Sequence, residues 1–217
     1  MSMKRRLWRA RVDAAESRDR LLRWLQPARP RFVTHGWPFR PGVCPCDGDF
    51  VEWLTARGVR GRSVFHLGTG AHHLVGLENQ SRGLDNDVLG LTLAPREHRS
   101  YVRAMLREPA LGRHYKVLFA DLHSLCAAAL PRFDVATLFH LGEFGDLSSP
   151  ARRMDEKGVL DLLCEQLVPG GRVLFYKGSF GYERAALLIA AKAQAGDIRH
   201  DEDFRSLRVY RVPGGER

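Results

Sequence analysis

Residues 63–70, Ser-Val-Phe-His-Leu-Gly-Thr-Gly, decide the fold because they pass from a strand-like run directly into a glycine turn. The run 63–67 is mostly apolar, which is typical of a strand buried on both faces of a parallel sheet. Gly68 and Gly70 allow the backbone to approach a ligand closely. A helix predicted from about Ala71 begins with N–H groups that can bind a carboxylate or a phosphate. The stretch therefore predicts the first strand and the ligand loop of an α/β domain.

The same order of strand, turn and helix repeats along the rest of the chain. Repeated strands and helices joined by right-handed crossovers predict a Rossmann-like α/β fold. We expect a doubly wound, mostly parallel, seven-stranded sheet that ends in a C-terminal antiparallel hairpin. The predicted strands are residues 63–67, 88–93, 116–119, 133–139 and 172–176, a short strand near Ile198, and residues 206–212. The predicted helices begin near residues 71 and 95 and cover residues 156–167 and 182–193.

An arm, residues 1–59, is predicted to precede this domain, which takes residues 60–217. Residues 3–26 place apolar side chains at helical spacing with arginines on the other face, and they predict an amphipathic helix that stops at Pro27. This helix either packs on the main domain or presents a basic surface.

The second part of the arm, residues 27–49, contains five prolines and several aromatic residues. Trp37 and Phe39 stand in an irregular stretch of a kind that often covers ligands. We interpret it either as a lid over the site or as a linker. A short helix is expected to follow over residues 50–57.

The net charge of +9 is concentrated in the arm. Residues 1–40 hold 11 of the 34 lysines and arginines and three of the 25 acidic residues, which leaves 23 basic and 22 acidic residues elsewhere. The body therefore lacks the basic groove that tracks phosphates, and nucleic acid is a conceivable partner only through residues 4–31. Because no apolar run reaches the roughly 20 residues of a membrane span, we expect no membrane span and a soluble, cytoplasmic protein.

Cysteine and histidine are common metal ligands, but the spacing of these residues along the sequence does not favour a metal site. Cys44 and Cys46 have one residue between them and no second pair at zinc-finger spacing. Four histidines could converge at the strand ends, but no thiol or carboxylate partner stands at a recognisable distance in sequence. We therefore expect reduced thiols and no metal, with His66 and His72 shaping the glycine loop. His73 is expected to pack on the first helix. His140 completes the set of four histidines that could converge at the strand ends.

Beyond the glycine loop, two further segments carry a family resemblance. Residues 168–174 form a Val-Pro-Gly-Gly-Arg-Val-Leu turn into a strand, and Asp121 ends the third predicted strand. Residues 61–212 resemble the class I S-adenosylmethionine-dependent methyltransferases. In that family the glycine loop cradles the methionine part, which Gly68 and Gly70 match, and an acidic residue like Asp121 binds the adenine amine.

The chain departs from the family pattern at three positions. His66 stands where the family usually has an acidic residue, and His72 stands where a third glycine is usual. Thr92 ends the second strand, where an acidic residue commonly holds the ribose. A threonine can still hydrogen-bond a hydroxyl group. The resemblance implies S-adenosylmethionine as cofactor, bound by His66, Gly68, Thr69, Gly70, His72, Thr92, Leu93, Asp121, Leu122 and His140.

The predicted catalytic residues follow the fourth strand. An imidazole titrates near neutral pH, so His140 is a candidate base that takes a proton from the methyl acceptor. Glu143 is a second candidate, or the residue that orients His140. Lys177, after the fifth strand, either binds an anionic substrate or extends into solvent.

The leading hypothesis is a methyltransferase that acts on a small-molecule acceptor. One alternative is a domain that keeps the fold and binds a ligand or partner without catalysis. Another is a nucleic-acid methyltransferase that uses the basic arm, although the fourth strand lacks an Asn-Pro-Pro-Tyr-like motif. NAD binding is the weakest hypothesis, because His73 and Thr92 occupy the third glycine and the acidic position of the dinucleotide fingerprint. The oligomeric state is not predicted.

Overall fold

The computed structural model describes residues 36–143 and 154–214. It also describes five positions of the arm, which are helical and exposed: Met3, Leu7, Ala10, Ala14 and Ser17. The rest of the predicted helix over residues 3–26, and residues 27–35 of the predicted lid, lie outside the described residues. In the described part of the chain, no helix is long and apolar enough to cross a membrane.

The described residues contain five α-helices and seven strands. The helices are α1 (Cys46–Ala56), α2 (Leu74–Ser81), α3 (Pro95–Arg107), α4 (Glu156–Gln166) and α5 (Tyr182–Gln194). The strands are β1 (Ser63–Leu67), β2 (Asp87–Thr92), β3 (Tyr115–Phe119), β4 (Phe133–Thr137), β5 (Leu167–Tyr176), β6 (Arg199–Phe204) and β7 (Leu207–Arg211).

All seven strands form one sheet in the order β3-β2-β1-β4-β5-β7-β6. The strands β1 to β5 pair in parallel, and β7 runs antiparallel to both β5 and β6. The predicted Rossmann-like sheet with a C-terminal antiparallel hairpin is thereby confirmed. Because β2 and β4 flank β1, the strand order reverses beside β1, where doubly wound folds bind their ligands.

Helices cover both faces of the sheet. On one face, α1 buries Phe50, Trp53 and Leu54 completely against β1, β2 and the last strand. On the other face, α4 and α5 pack their apolar residues on β4 and β5. Burial of large side chains of this kind stabilises the fold by about 1.5–3 kcal/mol for each side chain. The helix α1, whose sequence lies in the predicted arm, therefore packs as part of the sheet's covering layer.

Several element boundaries differ from the sequence prediction for identifiable reasons. The helix α2 begins at Leu74 because His73 adopts a left-handed φ of 50°, which cannot continue a helix. The strand β5 begins at Leu167 because that residue already pairs with Phe133 of β4, and a bulge follows. The helix α1 begins at Cys46, four residues before the predicted start, which brings Asp47 into its first turn.

Candidate functional site

The candidate site lies at the carboxyl-terminal edge of the sheet, where the strand order reverses between β1 and β4. Three segments meet there: the turn after β1, the turn after β4 and the amino-terminal end of α1. Two groups of polar side chains face one another across this edge. The first group is Asp47, His66 and His72, and the second is Cys44, Cys46, His140 and Glu143.

His66, the fourth residue of β1, is 1% exposed and points across the strand pair. It is in register with Thr137 of β4, and its Nδ1 lies 2.9 Å from Oγ1 of that threonine. Its Nε2 is buried without a hydrogen-bond partner among the described residues, and lies 3.7 Å from Oδ2 of Asp47. One ring nitrogen is thus satisfied within the sheet, and the other faces a carboxylate from α1.

His72 lies in the turn after β1 and folds back over Gly70. A Cβ at Gly70 would come within 2.3 Å of Nε2 of His72, and the φ of +58° at Gly70 favours glycine. The Nδ1 of His72 accepts a hydrogen bond from the backbone N–H of Leu74 at 3.1 Å. The neutral ring therefore carries its proton on Nε2, which lies 3.6 Å from Oδ2 of Asp47. Burial lowers the pKa of His72, and Asp47 opposes this effect only in part.

Asp47 supplies the carboxylate that β1 lacks. It is 5% exposed and lies in the first turn of α1, where the helix dipole favours a negative charge. Burial by itself raises the pKa of Asp47, but the neighbouring imidazoles, His66 above all, outweigh burial and lower it. A carboxylate from outside the sheet thus faces His66, which stands where the family resemblance leads one to expect an acidic residue.

His140 and Glu143 form the core of the second group. The Nδ1 of His140 lies 3.0 Å from Oε1 of Glu143. The same oxygen accepts hydrogen bonds from Oγ of Ser179 at 2.6 Å and from the backbone N–H of Phe180 at 2.9 Å. Because the carboxylate holds the proton of Nδ1, the neutral ring presents the lone pair of Nε2 to the site. Burial opposes the charges of both side chains, but their mutual attraction raises the pKa of His140 and lowers the pKa of Glu143 to about 2.

Two glycines bring the loop after β5 into contact with the turn after β4. A Cβ on Gly181 would lie 2.4 Å from the carbonyl carbon of Gly142. A Cβ on Gly142 would lie 2.6 Å from the carbonyl oxygen of Gly181, and Gly142 also has a φ of +91°. This backbone contact places Ser179 beside Glu143.

Cys44 and Cys46 bring two sulfur atoms to His140. Their Sγ atoms lie 3.3 Å apart, and Nε2 of His140 lies 3.7 Å from Sγ of Cys44 and 3.9 Å from Sγ of Cys46. The hydrogen bond with Cys46 lowers the pKa of Cys44 to about 5, whereas burial raises the pKa of Cys46. All four cysteines of the chain are unpaired thiols, as expected from the sequence.

An acidic residue also stands at the end of β2, although α3 contributes it. Oγ1 of Thr92 donates to Oε2 of Glu97 at 2.6 Å, and Oε1 of Glu97 accepts from the backbone N–H of Trp37 at 3.1 Å. Burial raises the pKa of Glu97, against the effect of the hydrogen bond from Thr92. The partly buried Leu93 follows Thr92 at the same edge. The end of β2 thus carries a buried hydroxyl–carboxylate pair.

Asp121 and Leu122 follow β3 at the next position along this edge. Oδ1 of Asp121 accepts a hydrogen bond from the backbone N–H of His123 at 3.0 Å and caps a short 3₁₀ helix, Leu122–Ser124. Asp121 is half-buried and Leu122 is buried. The turn after β3 is therefore fixed by the carboxylate itself.

The glycine loop after β1 is open at one end and covered at the other. Gly68 has a φ of +82°, and no atom lies within 4 Å of a Cβ built on it. Thr69 is buried beneath the loop, where Gly90 of β2 makes room, since a Cβ there would lie 2.5 Å from Cγ2 of Thr69. The backbone N–H of Ala71 donates to the carbonyl of Trp37 at 2.9 Å. A ligand can therefore approach Gly68, whereas the arm covers Ala71.

The structure places all the predicted site residues at this one edge of the sheet. His66, His72 and His140 surround Asp47 and the two thiols, beside Gly68, Thr69, Gly70 and Glu143. Thr92 is the last residue of β2 and Leu93 follows it, and Asp121 and Leu122 follow β3.

Two other polar residues singled out in the sequence lie outside this edge. His73 is buried, with Nδ1 2.9 Å from the hydroxyl of Tyr115 and Nε2 3.1 Å from the carbonyl oxygen of Glu97. Burial lowers the pKa of His73 to about 4. Lys177 pairs with Asp203 on β6 at 3.2 Å. His73 therefore supports the helix α2, and Lys177 is engaged at the hairpin.

Sequence reasoning missed the site residues that come from neighbouring elements. Cys46 and His140 are 94 positions apart, so their spacing carries no ligand signature. Two signals could have identified other members of the site. Asp47 is an acidic residue at the start of a helix, and Glu97 is an acidic residue two positions after the helix-opening Pro95.

Solved structures with the same arrangement of strands include several methyltransferases. The magnesium protoporphyrin IX methyltransferase ChlM from Synechocystis PCC 6803, solved with bound SAM, is similar with a TM-score of 0.54 and 15% identity, over 78% of this chain and 79% of that protein. An O-methyltransferase family protein from Burkholderia thailandensis has a TM-score of 0.56 and 14% identity, over 79% of this chain. The fold is that of the class I S-adenosylmethionine-dependent methyltransferases.

The range of chemistry among these neighbours is wider than methyl transfer. The [4+2]-cyclase SpnF is similar with a TM-score of 0.58 and 16% identity, over 93% of this chain and 96% of SpnF. By contrast, the chain spans only 57% of the length of the Burkholderia protein. No family model matches the sequence, and no curated protein matches it by sequence. At these identities the comparisons establish the fold, and the activity must be argued from the site.

Proposed function

We propose that the protein is an S-adenosylmethionine-dependent methyltransferase that acts on a small-molecule acceptor. The observation that carries the proposal is the open face of Gly68, at the point where the strand order reverses. A ligand backbone can approach the loop there without meeting a side chain within 4 Å of the Cβ position. Polar atoms at the ends of β2 and β3 extend this face along the edge of the sheet.

The residues present fit the parts of the cofactor in order along the edge. Gly68, Thr69 and Gly70 would hold the methionine part, together with His66 and His72, which lie beside the carboxylate of Asp47. Thr92, with Leu93 and the carboxylate of Glu97, would hold the ribose. Asp121 and Leu122 would hold the adenine through a charged acceptor and an apolar contact. When bound, S-adenosylmethionine supplies an electrophilic methyl group on its sulfonium, so the protein has to position the acceptor and receive its proton.

We assign the acceptor side of the site to His140 and Glu143. Glu143 fixes Nδ1 of His140, which leaves Nε2 as the ring atom that faces the site. An acceptor between this nitrogen and the glycine loop would lie beside the methyl donor. Because Glu143 raises the pKa of His140, the ring can take the acceptor's proton only after Nε2 has lost its own. His140→Gln should therefore reduce turnover strongly and leave cofactor affinity within about threefold, since the ring contributes to proton transfer more than to binding.

Isothermal calorimetry tests the cofactor assignment directly. The full chain is titrated with S-adenosylmethionine, with its demethylated product S-adenosylhomocysteine and with NAD, after circular dichroism has shown that the chain is folded. We expect one site for the two adenosyl sulfur compounds and no heat with NAD. Heat with NAD alone, or none with any of the three ligands, would overturn the proposal.

A second candidate function is ligand binding in this fold without methyl transfer. The specific observation in its favour is that the ring of His72 covers Gly70, and the carbonyl of Trp37 accepts from Ala71 in the same loop. Calorimetric binding of S-adenosylhomocysteine, combined with no methyl transfer to any acceptor in a broad panel, would favour this candidate. The nucleic-acid hypothesis rests on residues 4–31, most of which lie outside the described residues.

A further inference from the structure

We propose that Cys44, Cys46 and His140 bind one divalent metal ion of the zinc class. Their three donor atoms are separated by 3.3, 3.7 and 3.9 Å. Tetrahedral zinc, with Zn–S bonds of about 2.3 Å and Zn–N bonds of about 2.0–2.1 Å, requires donor atoms about 3.5–3.8 Å apart. The triangle therefore needs only small side-chain shifts to accept an ion.

The histidine is oriented as metal ligands usually are. Glu143 holds Nδ1 at 3.0 Å and so directs Nε2 toward the two sulfur atoms. Zinc-bound histidines almost always donate their other ring N–H to a carboxylate, a carbonyl or water. The carboxylate of Glu143 is itself fixed by Ser179 and Phe180, so the turn after β4 and the loop after β5 together support the direction of one lone pair.

The sulfur atoms are held on hydrogen-bonded backbone. The backbone N–H groups of Val43 and Cys44 both donate to the carbonyl of Arg40, at 2.8 and 2.9 Å, which closes a tight turn before Cys46. Cys46 is the first residue of α1, so the helix fixes its backbone. Both sulfur ligands thus come from one hydrogen-bonded turn and the start of α1, and His140 reaches them from the turn after β4.

The donor set indicates both the class of metal and an available coordination position. Two thiolates and an imidazole suit zinc among the common divalent ions. Within residues 36–143 and 154–214, no fourth His, Cys, Asp or Glu side chain joins this group with its donor atom inside 4.8 Å of the others. Three protein ligands are typical of catalytic zinc, whose fourth position takes water or a substrate atom.

Metal binding would change the role of His140 in the proposed reaction. A nitrogen that coordinates a metal cannot accept a proton, so His140 becomes a ligand and Glu143 its positioning residue. An acceptor atom bound at the fourth position would lose its proton more readily, because a bound zinc ion lowers the pKa of a coordinated group. This step rests on the proposed methyltransferase function, whereas metal binding itself does not.

The test uses the full chain, stripped with a chelator and shown to be folded by circular dichroism. Zinc is titrated in competition with a chromophoric chelator, and cobalt(II) is titrated while its absorption spectrum is recorded. We expect one ion per chain, submicromolar zinc affinity, and cobalt bands typical of tetrahedral coordination with sulfur-to-metal charge transfer. A folded chain that binds far less than one ion, or cobalt spectra without sulfur bands, would overturn the inference.

Variants assign the ligands and separate them from a general loss of structure. Cys44→Ser and His140→Gln should each weaken zinc binding by at least about 100-fold, and Glu143→Gln by about 10- to 100-fold. The control is Cys126→Ser, since Cys126 is an exposed thiol, and it should bind zinc as the wild type does. Equal zinc affinity in Cys44→Ser and Cys126→Ser would exclude the assignment.

Alkylation of the wild type provides a test that uses no variant, so misfolding caused by a substitution cannot affect it. Zinc should slow the labelling of Cys44 by iodoacetamide and leave the labelling of Cys126 unchanged, as followed by mass spectrometry. Unchanged labelling of Cys44 at saturating zinc would contradict the inference. These titrations contain no nucleoside, so they test the metal site independently of the proposed function. Zinc binding without binding of an adenosyl ligand would support the metal site and overturn the proposed function.

Discussion

The carboxylate of Asp47 lies 3.7 Å from Nε2 of His66, and both side chains are almost fully buried. A carboxylate at the start of α1 and an imidazole in β1 therefore face each other inside the candidate site. We expect Asp47→Asn to lower the free energy of unfolding by about 1–3 kcal/mol at pH 7, because it leaves buried imidazoles without a charged partner. Denaturant unfolding measures this change, and Asp85→Asn on the exposed surface is the matched control.

The pairing itself can be tested with a double-mutant cycle. Asp47→Asn combined with His66→Gln should deviate from additivity by about 0.5–3 kcal/mol. The pKa of Asp47 is lowered from 3.8 in the folded chain, so its contribution is present above that pH and is lost as the pH falls through the lowered value. Additive effects of the two substitutions at pH 7 would show that the carboxylate and the imidazole are energetically independent.

Gly181→Ala tests the backbone contact that supports Glu143. A methyl group at this position would lie 2.4 Å from the carbonyl carbon of Gly142, so the two loops must separate. We expect a loss of about 1–3 kcal/mol in unfolding free energy, as for other overpacked sites. Gly214→Ala, where a Cβ meets no atom within 4 Å, should be neutral. Equal stability of the two variants would contradict the described contact.

The stability of the protein should fall between pH 6.5 and 4 because of His73. Its pKa is lowered by burial from 6.5 to about 4, so in this window the unfolded chain binds a proton that the folded chain does not. Stability then rises with pH, by up to about 3 kcal/mol across the window. His73→Asn keeps a residue that tolerates the left-handed backbone and should flatten this part of the profile.

The measurement for His73 is denaturant unfolding at several pH values between 4 and 7. His200→Asn, on the exposed strand β6, serves as the control and should keep the wild-type slope. A wild-type slope in His73→Asn would show that other groups bind the proton.

Asp121→Ala should weaken binding of S-adenosylhomocysteine by about 5- to 150-fold, because it removes a charge-assisted hydrogen bond worth about 1–3 kcal/mol. Asp121→Asn keeps an oxygen that can accept from the N–H of His123, and so separates the turn from the charge. We expect this variant to lose less affinity than the alanine variant. Unchanged calorimetric affinity in both variants would remove Asp121 from the site.

The fold could be predicted from the sequence because its signals are local. Each strand is a short apolar run beside a turn, and the order of strands and helices restricts the sheet to very few topologies. The boundaries that were wrong depend on pairing or backbone angle. Leu167 joins β5 because Phe133 is its partner, and α2 starts late because of the left-handed His73.

Part of the polar edge of the sheet was also predictable, because some of its residues are placed there by local strand and turn signals. Gly68, Thr92 and Asp121 each lie at or just after the end of a strand, so the topology alone brings them to one edge. The group around His140 was not predictable, because its sulfur ligands come from a turn before the first strand and nothing in the spacing connects them. Side chains contributed by elements outside the sheet leave no periodic trace in the sequence.

The sequence separation of 96 residues between Cys44 and His140 has a consequence for how the molecule assembles. During synthesis both thiols leave the ribosome long before β4 has been made. They therefore stay reduced and without a metal ion until the central strands have paired. Contacts of such long range form late and slowly. A signal that requires all three side chains to be together, such as a cobalt spectrum, therefore also reports when the last stage of folding is complete.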